Sequence, residues 1–294
     1  MPSQLDLSWN ADPLVVLAIL ALGAGYYAAV GPLRARHGWG TPATGRQIAC
    51  YASGIILLAI TLITPLDTLG RTTSFAAHML QLMLLSTAVG PLLLLGLPEW
   101  LVRATVRPFA RLGPDAALLA PLVIGFLFNG VFIIWHVTPI YEAGLHNELL
   151  HDLESLTILL TGALNWWPLL SPHERRLRLA NWGQIVYLLL ESLPLDIFAV
   201  FLLFSGAPFY PTYIAAAQRL GFSAMIDQQV AAGIYLAPET FIDLIFMSLA
   251  FFGWIQRIEH EQEEKERLAD LRAAAGQHDD VSLGGPSVEP GTVA

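Results

Sequence analysis

Seven long apolar runs, separated by short polar segments, dominate the pattern of hydrophobic and polar positions along the chain. They cover residues 14–33, 48–66, 75–97, 116–137, 149–170, 183–204 and 230–255. Each run is close to the ~20 residues that an α-helix needs to cross a bilayer core. The runs are apolar on all faces, whereas the strands of a membrane barrel alternate between apolar and polar positions. The pattern therefore predicts an all-α polytopic membrane protein with seven transmembrane helices.

Positively charged residues mark one side of the predicted membrane. Thirteen of the 15 Lys and Arg residues follow the first, third, fifth and seventh runs, and Arg71 and Arg219 are the two exceptions. Connections rich in Lys and Arg stay in the cytoplasm. The sequence therefore predicts that the N-terminus lies outside and the C-terminus lies in the cytoplasm.

The composition agrees with a membrane protein and argues against several other classes. Hydrophobic residues make up 55% of the 294 residues and charged residues 13%, with a mean hydropathy of +0.56, which is too apolar for a soluble domain. The segment before the first run contains Asp6 and Asp12 and no positive charge, so we expect that run to remain as a helix. The net charge of -9 does not favour a nucleic-acid partner. Cys50 is the single cysteine, so any metal site must use His, Met or carboxylate ligands.

The composition changes sharply after the seventh run. Residues 1–257 form the predicted seven-helix membrane domain, and residues 258–294 form a predicted cytoplasmic segment. Opposite charges at helical spacing favour a charged helix in the first part of this segment. Roughly the last 15 residues are rich in Gly, Ser, Pro and Asp, which is typical of a disordered tail.

The predicted orientation sorts the eight histidines into two groups of four. The cytoplasmic group is His37, His173, His260 and His278, and we interpret these as solvated residues of the interface and tail. The outer group is His78, His136, His146 and His151, and Asp227 opens the seventh helix on the same side. Ionisable residues inside membrane segments are candidates for function, and imidazole is a common ligand of copper, zinc and iron. The predicted metal ligands are His78, His136, His151 and Asp227, with His146 as a supplement.

Two further sets of residues allow two interpretations each. Met79 and Met83 flank His78 and are soft enough to assist Cu(I), although packing in the core is the commoner role of such methionines. Glu191, Asp196 and Asp243 lie inside the sixth and seventh helices. They form either a proton path or a set of polar groups that pair with neighbouring side chains and with backbone freed at Pro194.

Three segments of the chain resemble the CtaG-like family of cytochrome c oxidase assembly factors, which are seven-helix membrane proteins of bacteria. The segments are HMLQLMLLSTAVGPLLLLGLP at 78–98, WHVTPIYEAGLHNELLHDLESLTILLTGALNWWPLL at 135–170 and GAPFYPTYIAAAQRLGFSAMIDQQVAAGIYLAP at 206–238. Looser similarity, such as TPLD at 64–67, covers most of residues 9–255. The resemblance implies a non-enzymatic factor of the bacterial plasma membrane that assists copper insertion or oxidase maturation at the outer face. Its implied partners are oxidase subunits and the lipid bilayer, and its implied cargo is copper.

The chain departs from the family pattern at two positions that the resemblance associates with metal. The family usually has HMxxH, and Leu82 stands at the second histidine; it usually has HxxxH after the WH motif, and Ser155 stands at the second histidine. Each family pair places two imidazoles on one helix face. Two alternatives remain: a membrane transporter of copper or a small solute, and a haem-binding redox protein with two outer histidines as axial ligands.

Overall fold

The computed structural model describes residues 5–106, 114–170 and 179–283, and these residues contain helices and no strands. We number the helices in chain order. They are α1 Pro13–His37, α2 Gly45–Ile63, α3 Pro65–Thr72, α4 Phe75–Gly96, α5 Glu99–Val106, α6 Pro114–Trp135, α7 Thr138–Leu145, α8 Glu148–Leu170, α9 Asn181–Phe204, α10 Pro211–Leu220 and α11 Ala224–Leu283. Single π-helical segments interrupt α1 at Ala29–Leu33 and α4 at Leu84–Val89. The all-α prediction is confirmed for the described residues.

Each of the seven predicted runs falls mainly within one helix, but fewer helices qualify as membrane spans by length and composition. Within the described residues, α1, α2, α4, α9 and α11 are long and apolar enough to cross a bilayer. A sixth span is present if α6 and α7, which meet at a bend of 72°, are counted together. Helix α8 has 23 residues and is long enough, but it is not apolar enough to be counted as a span, because its buried face carries polar side chains. The number seven and the orientation therefore stay predictions.

The second apolar run ends in a sharp break that matters for the site. Thr64 is extended, with ψ of 171°, and Pro65 then begins the short helix α3. A residue before proline avoids the helical region, and proline is well suited to the first turn of a new helix. After the break, α3 packs against α4, and Asp67 is buried, with 2% of its surface exposed.

Helix α11 continues far beyond the last apolar run. It is a single helix of 60 residues from Ala224 to Leu283, so the charged segment after residue 257 extends it as expected. The first residues of the predicted disordered tail are helical as well, and residues 284–294 lie outside the described part of the chain. Five of the arginines that predict the orientation, at 107, 111, 175, 176 and 178, also lie outside it.

The bundle has a tightly packed interior and an apolar exterior. The crossing of α4 and α8 is close: a Cβ atom on Gly162 would lie 2.8 Å from the Cα atom of Ser86. Small residues permit such approaches between membrane helices. Large apolar side chains such as Phe126, Phe204 and Phe241 are exposed on the outside. An exterior of this kind is expected to face lipid, because a soluble protein rarely exposes apolar patches of such extent.

Candidate metal centre

The most deeply buried polar cluster lies where α3, α4 and α8 meet. His78 on α4 and His151 and Glu154 on α8 have exposed fractions of 0%, 1% and 2%. Each offers one ligand atom, and the three atoms lie within 4.8 Å of one another. In the described part of the chain this is the one group of three or more His, Cys, Asp or Glu residues with that geometry. The two imidazoles and the carboxylate are close enough for one metal ion to reach all three after small side-chain movements.

The first turn of α4 places His78. Ser74 caps the helix by accepting a hydrogen bond from the Ala77 N–H at 3.2 Å. Asp227 of α11 reinforces this end: it accepts from the Ser74 hydroxyl at 2.6 Å and from the Phe75 N–H at 2.7 Å. The carboxylate of Asp227 is therefore used at the end of α4, and it does not lie in the cluster where it was expected as a ligand. It holds the N-terminus of α4, where a carboxylate is favourable, and is not among the clustered donors.

His151 is oriented by a carboxylate from a different helix. Its Nε2 atom lies 3.0 Å from Oδ1 of Asp67, and the same oxygen accepts a 2.7 Å hydrogen bond from Gln81. The other oxygen of Asp67 accepts from the side chain of Asn10 at 3.0 Å. Because a carboxylate can only accept, Nε2 carries the proton and the lone pair of a neutral imidazole is on Nδ1, which faces Glu154. A histidine held in this way is a typical metal ligand.

Several donor atoms of the cluster are buried without a hydrogen-bond partner. They are both ring nitrogens of His78, Nδ1 of His151 and Oε1 of Glu154. The Nε2 atom of His78 lies 3.3 Å from Oε1 of Glu154, but not in hydrogen-bonding geometry. Nearly all buried polar groups in proteins are paired, so these atoms are available to bind an ion or a further proton. Two nitrogen donors and one carboxylate oxygen fit a borderline divalent ion such as Cu(II) or Zn(II).

His136 contributes a third imidazole at slightly longer range. Its ring centre lies 6.1 Å from that of His78. Its Nδ1 atom lies 2.8 Å from the Phe132 carbonyl, so Nδ1 donates and the unpartnered Nε2 carries the lone pair. The structure thus brings His78, His136 and His151 together, with His136 outside the compact group of three. His146 does not join them: it is exposed and its ring bonds the carbonyl of Glu142.

The remaining sequence candidates fall outside the cluster. Met79 is fully buried in the hydrophobic core and Met83 packs against that core, which agrees with the packing interpretation. His37 and His260 are exposed, as expected for solvated residues. His173 lies outside the described residues, and the side chain of His278 is not described. Leu82 and Ser155, at the two departures from the family pattern, are 0% and 5% exposed and therefore point into the bundle.

Aromatic side chains enclose the centre. The rings of Phe75 and Tyr141 lie 6.4 and 5.0 Å from the His78 ring. Tyr213 donates to the Gly70 carbonyl at 2.5 Å, so the 2.7 Å contact between Tyr141 and Tyr213 has Tyr141 as donor. Both hydroxyl groups therefore donate to groups other than the imidazoles. The shell shields the centre from bulk solvent, which strengthens electrostatic interactions inside it.

An open cavity of about 450 Å³ leads from the surface to the edge of the centre. Its lining includes Trp9, Asp12, Asp67, Arg71 and Glu148. Asp67 therefore faces the cavity and also contacts His151. The cavity therefore lies next to the carboxylate that orients His151.

Sequence reasoning missed two residues that complete the centre. Glu154 lies three positions after His151. This spacing puts two side chains on one helix face, so the sequence did contain a pattern that could have identified Glu154. Asp67 lies in the TPLD segment, but the sequence alone did not show that the chain breaks at Pro65 and turns this carboxylate inward.

The fold and the centre define an all-helical membrane protein with a buried cluster of histidines and a carboxylate. The chain belongs to the cytochrome c oxidase caa3 assembly factor family (Caa3_CtaG), whose sequence model matches residues 24–257. This match confirms the resemblance drawn from the sequence motifs.

Comparison with individual proteins adds one relative. The chain is 26% identical over 290 residues to the uncharacterized protein ML1998 of Mycobacterium leprae (strain TN). The alignment covers 89% of this chain and 42% of that protein, so the chain spans less than half of its relative's length. No solved structure matches the chain significantly.

Proposed function

We propose that this protein assists the maturation of cytochrome c oxidase by holding a copper ion transiently at His78, His151 and Glu154. Membership of the assembly factor family supports the link to the oxidase and suggests a role without catalysis. The proposed partners are oxidase subunits that receive the ion. The proposed location is the plasma membrane of a bacterium, with the centre near the outer face.

One observation carries the metal part of this proposal: four donor atoms on three side chains that are neighbours in space are buried without hydrogen-bond partners. Copper is written here as cargo, bound and passed on. The imidazoles supply two nitrogen ligands, and Glu154 supplies an anionic oxygen that offsets the charge of the ion. Asp67 keeps His151 in the tautomer whose lone pair faces the site. With few protein ligands and a short way to the surface cavity, the centre is suited to exchange.

A role as a scaffold without metal is the second candidate. His151 lies between two carboxylates, with Nε2 3.0 Å from Asp67 and Nδ1 3.7 Å from Glu154. A protonated imidazole in this position would offset part of their charge with no ion present. Such a protein would act on the oxidase through contacts alone.

The transporter and haem alternatives have less support. A transport path would have to join the outer centre to the acidic residues of α9 and α11, and the ring of Phe132 stands between them. Its centre is 4.3 Å from that of His136 on one side and 4.9 Å from that of Tyr235 on the other. A haem between His78 and His151 would have to occupy the space in which Glu154 approaches both.

Copper analysis of the full-length protein purified after growth with copper tests the proposal. We expect the wild type to carry stoichiometric copper and His78→Ala, His151→Ala and Glu154→Gln to lose most of it. His146→Ala is the matched control, because His146 is an exposed outer histidine, and it should keep its copper. Oxidase activity should fall in strains carrying the three site variants. Full oxidase support from a protein that never binds copper would favour the scaffold.

A further inference from the structure

A second buried polar cluster lies deeper in the bundle, away from the histidines. Glu191 on α9 and Glu239 and Asp243 on α11 have exposed fractions of 9%, 6% and 6%. With Asn165 of α8 they line a cavity of about 10 Å³, which is room for about one water molecule. The wall is completed by Ser86, Thr87, Phe128, Gly162, Trp166 and Ile242. The proposed function does not use this cluster.

The hydrogen bonds of the cluster leave one fully buried carboxylate oxygen without a partner. Glu191 accepts from the Asn165 amide at 2.7 Å, and the Asn165 oxygen accepts from the Tyr187 hydroxyl at 2.6 Å. Glu239 has a single long contact, in which the Tyr235 hydroxyl lies 3.4 Å from Oε1. Oε2 of Glu239 has no hydrogen-bond partner, and Glu239 lines the cavity.

No positive charge is available to this cluster among the residues that line the cavity. The ionisable groups around Glu239 are Glu191 and Asp196 of α9, Asp243 one turn further along α11, and the hydroxyls of Tyr187 and Tyr235. All of them are acids. Several ionised carboxylates in an apolar interior would repel one another and would lose their hydration, at a cost that proteins avoid.

A metal ion is a poor solution to this excess of negative charge. In the described residues, the outer centre is the one place where three such side chains bring ligand atoms within 4.8 Å of one another. The two glutamates and the aspartate therefore do not form a compact cage. A proton requires no cage, because one carboxylic O–H group removes a charge and supplies the missing donor.

We infer that the cavity is a proton-binding site, in which Glu239 carries the proton on Oε2 and donates it to a water molecule shared with Glu191 and Asp243. The water has the two to four polar partners that buried water needs. Glu239 and Asp243 are four residues apart, about 6 Å along the helix axis, so water can link them. In the predicted orientation Asp243 lies nearer the cytoplasm, and Phe132 separates the site from the outer histidines.

Infrared spectroscopy of the full-length protein in lipid nanodiscs at neutral pH tests this inference. We expect a carbonyl stretching band of a protonated carboxylic acid that is lost in Glu239→Gln. Glu259→Gln, an exposed position on the same helix, should leave the band unchanged. Labelling of glutamate carboxyl groups with carbon-13 in the wild type should shift the band, which provides the test if the Gln variant does not fold.

Three results would overturn the inference. One is a wild-type spectrum without a protonated-acid band, and another is a band that neither glutamate labelling nor Glu239→Gln alters. The third is stabilisation of the wild type, but not of Glu239→Gln, by sodium or calcium ions in thermal unfolding. That result would assign the cavity to a metal cation in place of a proton.

Discussion

The Nε2 atom of His151 lies 3.0 Å from Oδ1 of Asp67, a residue 84 positions earlier in the chain. The contact joins α8 to the short helix α3 and fixes which nitrogen of the imidazole faces Glu154. Asp67 is held in turn by Gln81 and Asn10, so the ring cannot rotate without disturbing three other elements. The geometry of the centre is thus set from outside the three clustered residues.

Asp67→Asn should weaken copper binding by about 10- to 100-fold, because the carboxylate that orients and activates His151 becomes neutral. The variant should fold, since asparagine keeps the size of the side chain. Competition with a copper chelator measures the affinity. Asp152→Asn, next to His151 but not hydrogen-bonded to it, is the matched control and should bind as the wild type does. Equal copper affinities of Asp67→Asn and the wild type would show that Asp67 does not contribute to copper binding.

The double variant Leu82→His, Ser155→His should bind copper at least about tenfold more tightly than the wild type does. This change corresponds to roughly 1.4 kcal/mol of binding free energy. Both positions are buried and lie four residues after His78 and His151, so each change adds an imidazole to an inward-facing helix surface. The same chelator competition provides the affinity. Leu156→His, on the exposed face of α8, should have no such effect. A weaker site in the double variant would indicate that the centre is not built to hold more imidazoles.

Asp227→Asn should lower the thermal stability of the protein, by about 1 kcal/mol, without removing copper. The physical reason is that Asp227 caps the N-terminus of α4 and does not lie among the clustered donors. Thermal unfolding and metal analysis of the same preparation separate the two effects. Copper loss as complete as in His78→Ala, with unchanged stability, would restore Asp227 as a ligand.

Gly162→Ala should destabilise the protein by about 1–3 kcal/mol, since its new methyl group meets the backbone of α4 at Ser86. Gly130→Ala is the matched control, because a Cβ atom there meets nothing within 4 Å. Unfolding midpoints in detergent provide the comparison. Identical midpoints for the two variants would mean that α4 and α8 do not cross as closely as described.

The orientation is tested by reporters inserted at two exposed positions, His146 and Gln262. The positive-inside rule predicts that a reporter at His146 lies outside and a reporter at Gln262 lies in the cytoplasm. Alkaline phosphatase is active outside and green fluorescent protein is fluorescent inside, so the pair gives a positive signal on each side. The same location for both insertions would contradict the predicted topology.

The sequence predicted the positions of the helices and the convergence of three histidines, because hydropathy and depth in the membrane are both local properties. Glu239 was not singled out, although its neighbours Glu191 and Asp243 were, because its burial depends on the packing of α11 against α9. The cap that Asp227 forms on α4 was not predicted either, for a related reason. A carboxylate at a helix end has the same sequence whether it binds an ion or caps another helix, and only the three-dimensional arrangement distinguishes the two.

Helix α11 is about 90 Å long at the usual rise per residue, roughly three times the thickness of a bilayer core. Its first turn holds the N-terminus of α4 through Asp227, and its far end lies well beyond the membrane in the predicted orientation. A force applied to that far end would be transmitted along the helix. The helix bends most easily at Pro238, where a backbone hydrogen bond is missing. A protein that binds the charged end of α11, after residue 257, would thus be connected through this helix to the first turn of α4, which carries His78.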